Sequence, residues 1–184
     1  MSANGHTSNA EPYAGPLAGV RVLDLTRVLS GPFATLILGD LGAEVIKVEE
    51  PGKGDSARYS GPKVGGESSH FLTANRGKKS LILDLKTPQG KAVALDLARV
   101  SDIVVENFRP GVLARLGLDF DHLSAVNPGI IVCSISGFGQ TGPLRDRTSF
   151  DAIAQAFTGA MAVTGEPGGG PVRLGIAQIG RAHV

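Results

Sequence analysis

Apolar residues along this chain alternate between short, nearly continuous runs and longer stretches at helical spacing. Residues 20–25 (VRVLDL) form the first run and read as a strand buried on both faces. Residues 26–31 break it, Pro32 suits the first turn of a helix, and Phe33, Leu36, Ile37 and Leu38 recur at helical spacing until Gly42. A second strand is predicted over residues 43–48, ended by the Pro-Gly-Lys-Gly turn at 51–54. Residues 51–70 have no period and read as one long loop. Further strands are predicted over 80–85, 102–106 and 130–134. Between them lie an amphipathic helix over 87–100 and short helices over 112–116 and 119–126. In the first of these, Thr87 caps the helix and Ala92, Leu95 and residues 97–100 supply its buried side. A glycine-rich loop at 137–142 and a helix of small residues over 149–163 close the pattern.

Two strands joined by a helix are expected to be parallel with a right-handed crossover. The repeated alternation predicts an α/β fold, a Rossmann-like, mostly parallel sheet flanked by helices, with strand order left open. Ligands in such sheets bind beyond the carboxyl ends of the strands, which directs attention to residues 26–32 and 49–55.

Composition narrows the class. At 184 residues with 42% hydrophobic and 19% charged residues, the chain can build one real core or part of a larger one. A net charge of +1 supplies no field for nucleic acid or an anionic membrane, and no apolar run has the length of a membrane span. Residues 1–16 are polar, lack signal-peptide features and are expected to be a flexible leader. Cys133 is the only cysteine, which excludes a disulfide framework, points to a reducing cytoplasm, and within its apolar run reads as a buried inert thiol.

Several motifs carry candidate chemistry. Residues 137–142 (GFGQTG) match a dinucleotide fingerprint, but a true one opens directly into a helix, and here the irregular, charged PLRDR follows. No NAD site is expected, although an NAD-binding module is the reading this motif would support. The four histidines lack metal-ligand spacing, so no metal is expected. Lys86, Arg109 and Arg115 stand beside turns, as phosphate-binding side chains do, and equally as solvated surface charges do. Phe108, between Asn107 and Arg109, suits the wall of a nucleobase site or the core beneath the turn.

Taken together, residues 22–55, 74–91 (with LDLK), 102–118 (with ENFRPG), 127–143 and 149–167 resemble the family III CoA-transferases of CaiB/BaiF type. That group includes formyl-CoA transferase-like enzymes and α-methylacyl-CoA racemase. The resemblance runs in order from Leu17 to Gln178 and implies a CoA-binding, Rossmann-like domain over 17–178, part of the large domain of a longer enzyme. It places Leu29 and Ser30 near the thioester, Leu83, Asp84, Leu85 and Lys86 along the nucleotide, Asn107, Phe108 and Arg109 on a second wall, and Arg115 on the cofactor. Glu50 departs from the pattern, standing where relatives often place an arginine, and a carboxylate there does not bind phosphate.

By the same resemblance the reaction moves CoA from an acyl-CoA thioester to a carboxylic acid through an aspartyl intermediate. The nucleophile position falls at Gly180, which has no side chain, and residues 179–184 depart from the family. The expectation is therefore an N-terminal fragment with a non-native tail, inactive by itself, whose parent is an interlocked homodimer. Phe150 stands where racemases carry a histidine, so transferase is preferred to racemase, with a non-catalytic CoA-binding fragment as the further alternative. Asp151 reads as an accessory carboxylate or as a helix cap.

Overall fold

In a computed structural model of the chain, residues 15–176 are described. Five parallel strands form the central sheet: β1 (Arg21–Asp24), β2 (Glu44–Glu49), β5 (Lys79–Ile82), β6 (Ile103–Glu106) and β7 (Ile131–Ser134). A two-stranded antiparallel hairpin, β3 (Lys63–Val64) with β4 (Glu67–Ser68), stands apart from it. The order across the sheet is β5-β2-β1-β6-β7, so the chain builds outward from β1 in one direction and then returns to build in the other. That reversal puts the topological switch point between β1 and β6, paired in parallel through Val22–Ile103 and Leu23–Val104.

Alternation along β1 assigns side chains to two cores. Leu23 and Leu25 pack with Val48, Val104, Ala94, Ala98, Leu113 and Leu123, under α3 (Pro88–Arg99), α4 (Val112–Leu116) and α5 (Phe120–Val126). Val22 faces the other way with Val45 and Val105, where Leu17, Leu38 and Ile135 complete the packing around α1 (Ser30–Asp40). The predicted stop of α1 holds: Gly42 takes φ 105, a left-handed value that glycine adopts without strain.

Several expectations are corrected. Gly15 is already buried and the Leu17 amide donates to the Leu41 carbonyl at 2.9 Å, so a flexible leader does not extend to residue 16; residues 1–14 lie outside the description. The stretch 51–70 is not a single loop: it contains a 3-10 turn (Ser56–Tyr59), the β3–β4 hairpin and the start of α2 (Ser69–Asn75). Side-chain caps hold these short pieces, Asp55 accepting from the Ala57 amide and Ser68 from Phe71, and such local bonds leave no hydrophobic period to read. The strand predicted over 80–85 ends at Ile82, leaving Leu83, Asp84 and Leu85 beyond the sheet edge. The last helix, α6, is shorter than expected at Asp151–Phe157, because the bonds that follow it, Gly159 to Ala156 and Ala162 to Gly159, close turns of three residues. Cys133 lies exposed on edge strand β7, with the five-strand sheet ending beside it.

Thr87 caps α3 as predicted, accepting from the Gly90 amide at 3.0 Å. Its buried face is differently phased: Gly90, Ala94 and Ala98 are buried and Leu95 and Leu97 pack against the core, while Ala92 and Val100 are exposed. Gly90 is the tightest point, since a Cβ there would stand 1.8 Å from the Asp84 carbonyl oxygen. Backbone cannot yield to that contact, so Gly90→Ala is expected to cost about 2–3 kcal/mol by overpacking. Urea unfolding should show a lowered midpoint at unchanged slope, whereas Ala92→Ser, at an exposed position of the same helix, should leave the midpoint in place.

Candidate functional site

The carboxyl edge of the sheet is built around charges that the strands carry into the interior. Lys47, in β2, is 1% exposed along its side chain and pairs with Asp55, equally buried, at 2.9 Å. Its ammonium also donates to the Thr26 carbonyl at 2.8 Å. In the register, Lys47 lies beside Asp24 of β1. Asp24 accepts from Thr35 at 2.6 Å and pairs with Lys78 at 3.0 Å, and Lys78 donates further to the Pro32 carbonyl, Thr35 and Asn75. Burial alone would raise the Asp24 pKa, but Lys78, Lys47 and the two threonine hydroxyls outweigh it and hold the group below its ordinary value. Glu49 ends β2 in a two-pronged pair with Arg58, both bonds at 2.7 Å, and also accepts from Ser80 and the Asp55 amide.

On this base stand two cavities with Arg27 on their common wall. The narrower, about 160 Å³, is lined by Leu25, Glu50, Leu83, Asp84, Leu85, Lys86 and Phe108. The wider, about 370 Å³, is lined by Val28, Leu29, Ser30, Asn107, Ser136, Phe150, Asp151 and Arg173. Asn107 joins the two exit loops of the switch point: its side chain accepts from the Arg27 amide and donates to the Arg27 carbonyl, each at 2.8 Å. The Arg27 guanidinium lies 5.3 Å from the centre of the Phe108 ring. Phe108 packs on the core, as one of its two readings from the sequence has it, and also lines the narrow cleft.

The remaining sequence candidates fall less neatly. Ser30 begins α1, with Leu29 at its N-cap position, and both line the wider cavity. Arg109 lines neither cavity; it faces a third, with Glu106 and Gln140, between the ends of β6 and β7. There burial raises the Glu106 pKa despite bonds from Ser134 and the Phe108 amide. Arg115 lies in the last turn of α4 and lines none of the three. Asp151 is not the cap of α6, a position held by Phe150; it accepts from Gln155 at 2.7 Å and pairs with Arg173 at 3.4 Å. Glu50 pairs with Lys86 at 3.0 Å and with Arg27 at 3.7 Å. Lys86, then Arg27 and Lys53, hold its carboxyl below the usual range. Gly180 and the tail 179–184 lie outside the described residues.

Reading the sequence did not single out Arg27 within the 26–32 loop, Ser136 within the 127–143 segment, or Arg173, nor the Lys47–Asp55 and Lys78–Asp24 pairs. A signal for the latter was present: Asp24 and Lys47 interrupt apolar runs, and a charge within a buried strand requires a partner. Among the described residues there is no group of His, Cys, Asp and Glu that could hold a metal ion, and no helix long and apolar enough to cross a membrane. The 137–142 loop does not open into a helix; an irregular stretch runs on to Phe150.

An open, doubly wound sheet with two neighbouring cavities at its switch point defines the general class, an α/β protein of the doubly wound type. More specifically, residues 17–179 match the model of CoA-transferase family III, and the chain belongs to that family. It is 54% identical over 163 residues to the succinyl-CoA:glutarate CoA-transferase of Mus musculus, a match spanning 88% of this chain and 37% of that protein. It is 50% identical over 169 residues to the acetyl-CoA:oxalate CoA-transferase of Acetobacter aceti, spanning 92% of this chain and 43% of that one. The crystal structure of a CAIB/BAIF family protein from Brucella suis superposes with a TM-score of 0.84 at 43% identity, over 89% of this chain and 44% of that chain. This chain thus spans about two-fifths of the length of these relatives.

The Glu49–Arg58 pair has a defined acid signature. Burial raises the Glu49 pKa, but the bonds from Arg58, Ser80 and the Asp55 amide outweigh it and bring it from 4.5 to about 2. Because the folded value is depressed, this contribution is complete above the unfolded pKa of 4.5 and is lost as the pH falls toward about 2. Arg58→Met should flatten the fall in stability across that window, as measured by urea unfolding at a series of pH values, while leaving an intact carboxylate burdened by its burial near neutrality.

Proposed function

We propose that this chain carries the CoA-binding half of an acyl-CoA:carboxylate CoA-transferase. The observation that supports the reading best is the pair of adjoining cavities at the switch point, with Arg27 on the wall of both. Coenzyme A is a long ligand with a flat base and clustered phosphates at one end and an acyl thioester at the other, and the linings of the two cavities differ between those needs. The narrow cleft offers Phe108 and Leu85 as apolar walls with Lys86 and Arg27 as cations, which suits the nucleotide. The wider cavity, ringed by Leu29, Ser30, Asn107 and Asp151, suits the acyl end. Leu83, Asp84 and Lys86 are assigned to the nucleotide, Leu29 and Ser30 to the thioester. Arg109 and Arg115, which line neither cavity, are not given a phosphate contact.

In the reaction proposed for the whole protein, an aspartate attacks the thioester carbonyl, forming a mixed anhydride and releasing the CoA thiolate. The thiolate then attacks the enzyme's acyl carbon, the carboxylate of the first acyl group departs, and an acceptor carboxylate takes the CoA by the reverse sequence. The two transferases named above are, by name, succinyl-CoA:glutarate and acetyl-CoA:oxalate enzymes, so a short carboxylic acid is the proposed acceptor class. An interlocked homodimer is the proposed assembly of the whole protein, and the cytoplasm its proposed location. Asp151 is assigned an accessory place beside the thioester, held by Gln155 and Arg173. Because Gly180 occupies the nucleophile position, CoA binding without transfer is the second reading for the 184-residue chain itself.

Calorimetric titration of the chain with CoA tests the binding reading. Lys86 is 73% exposed, so Lys86→Ala should leave folding unchanged. It should weaken CoA binding by about tenfold at low salt and by less at high salt, since the lost contact is a screened one. CoA failing to bind, or NAD(H) binding in its place, would overturn the assignment. Acyl exchange between acetyl-CoA and a panel of carboxylates should show no turnover by this chain; turnover would displace Gly180 as the nucleophile position.

A further inference from the structure

Val28 is the one non-glycine residue among those described with a left-handed backbone, at φ 69. A β-branched side chain is strained in that region, and the conformation persists only where the surroundings impose it. Burial of its own side chain does not explain it, because Val28 is 54% exposed. The restraint comes from behind. Both oxygens of Asp55 face the Val28 amide, Oδ1 at 3.0 Å and Oδ2 at 3.2 Å. Asp55 is fixed in turn by Lys47 on Oδ2, by the Ala57 amide on Oδ1, and through its own amide by Glu49. Since Lys47 also holds the Thr26 carbonyl, one buried ammonium fixes both ends of the turn, residue 26 directly and residue 28 through Asp55.

We propose that Asp55 is a positioning residue that pins Val28 in its left-handed conformation and so sets Val28, Leu29 and Ser30 as the wall facing the acyl end of a bound CoA thioester. The proposal rests on the CoA reading above. Neither Asp55 nor Lys47 lines either cavity, so the pair acts only through the loop, whereas Val28, Leu29 and Ser30 all line the wider one. The nucleotide cleft shares Arg27 with the wider cavity but is otherwise built from the end of β2, from residues after β1, β2, β5 and β6, and from α4. The acyl end and the nucleotide end should therefore respond differently when the restraint is removed.

Calorimetry on the 184-residue chain with two probes, ADP for the nucleotide cleft and acetyl-CoA for the full site, separates the roles. Asp55→Asn should leave ADP affinity within about twofold and weaken acetyl-CoA by about tenfold, the scale of one hydrogen bond to a charged acceptor. In a Val28→Gly background the same substitution should cost less than about threefold, because glycine takes a left-handed conformation without being held there. Equal losses for both probes, or an undiminished loss in the Val28→Gly background, would show a merely structural role and overturn the proposal. Binding of both probes with Asp55→Asn indifferent to each would overturn it while leaving the CoA reading standing; an unaltered chain that binds neither would remove both. Should Asp55→Asn not fold, amide shifts in the unaltered chain decide: changes produced by acetyl-CoA and not by ADP should centre on Val28, Leu29 and Ser30, and their silence would overturn the assignment.

Discussion

The buried ammonium of Lys47 is the constraint from which the ligand-facing edge follows. A lysine side chain that is 1% exposed requires compensation, since an unpaired charge in the interior costs far more than one hydrogen bond returns. Compensation comes from Asp55, beyond the end of β2, and from the Thr26 carbonyl, beyond the end of β1. Two exit loops from neighbouring strands are thereby tied to one point. Lys78 repeats the arrangement one layer away, joining Asp24 to α1 through Pro32 and Thr35 and to α2 through Asn75. Such pairs add little net stability against a hydrophobic alternative, but they admit few geometries. Their contribution here is to the shape of the loops.

That shape is expressed at the switch point. Where the sheet reverses its order, the loops after β1 and β6 diverge and leave a crevice. Asn107 bridges them with two bonds to the Arg27 backbone, so the crevice is divided into a narrow cleft and a wider cavity. The charge inside the narrow cleft is already balanced. Glu50 pairs with both Lys86 and Arg27, and Asp84 adds a second carboxylate to the same lining. The carboxylate that stood out in the sequence becomes, in three dimensions, an internal counter-ion to two cations.

Much of the scaffold was legible from residue order. Period and punctuation located all five strands of the main sheet and the helices α1 and α3 to α5, because each is a local pattern of apolar residues ended by glycine, proline or a cap. What escaped notice had the least periodicity: α2 and the β3–β4 hairpin are short and held by side-chain caps and contacts with their neighbours. The buried face of α3 was misphased because Gly90 and Ala94, which carry little hydrophobic weight, are buried, while Val100 projects outward. Cys133 shows the same limit, since an apolar run does not reveal whether its strand lies at an edge.

The sequence by itself determined the fold class, the family, and which loops would stand at the carboxyl ends of the strands, because these depend on local order and on motifs such as LDLK and ENFRPG. Only the tertiary structure decided strand order, and with it the switch point where Asn107 meets Arg27 across 80 residues of chain. It also put Lys86 on the narrow cleft, Arg109 on a third cavity and Arg115 on none of the three, although all three stand beside turns and carry the same charge. The strain at Val28 belongs wholly to that level. Nothing local to residues 26–30 requires a left-handed valine; it arises from a carboxylate 27 positions away, held in place by a lysine that the sheet has buried.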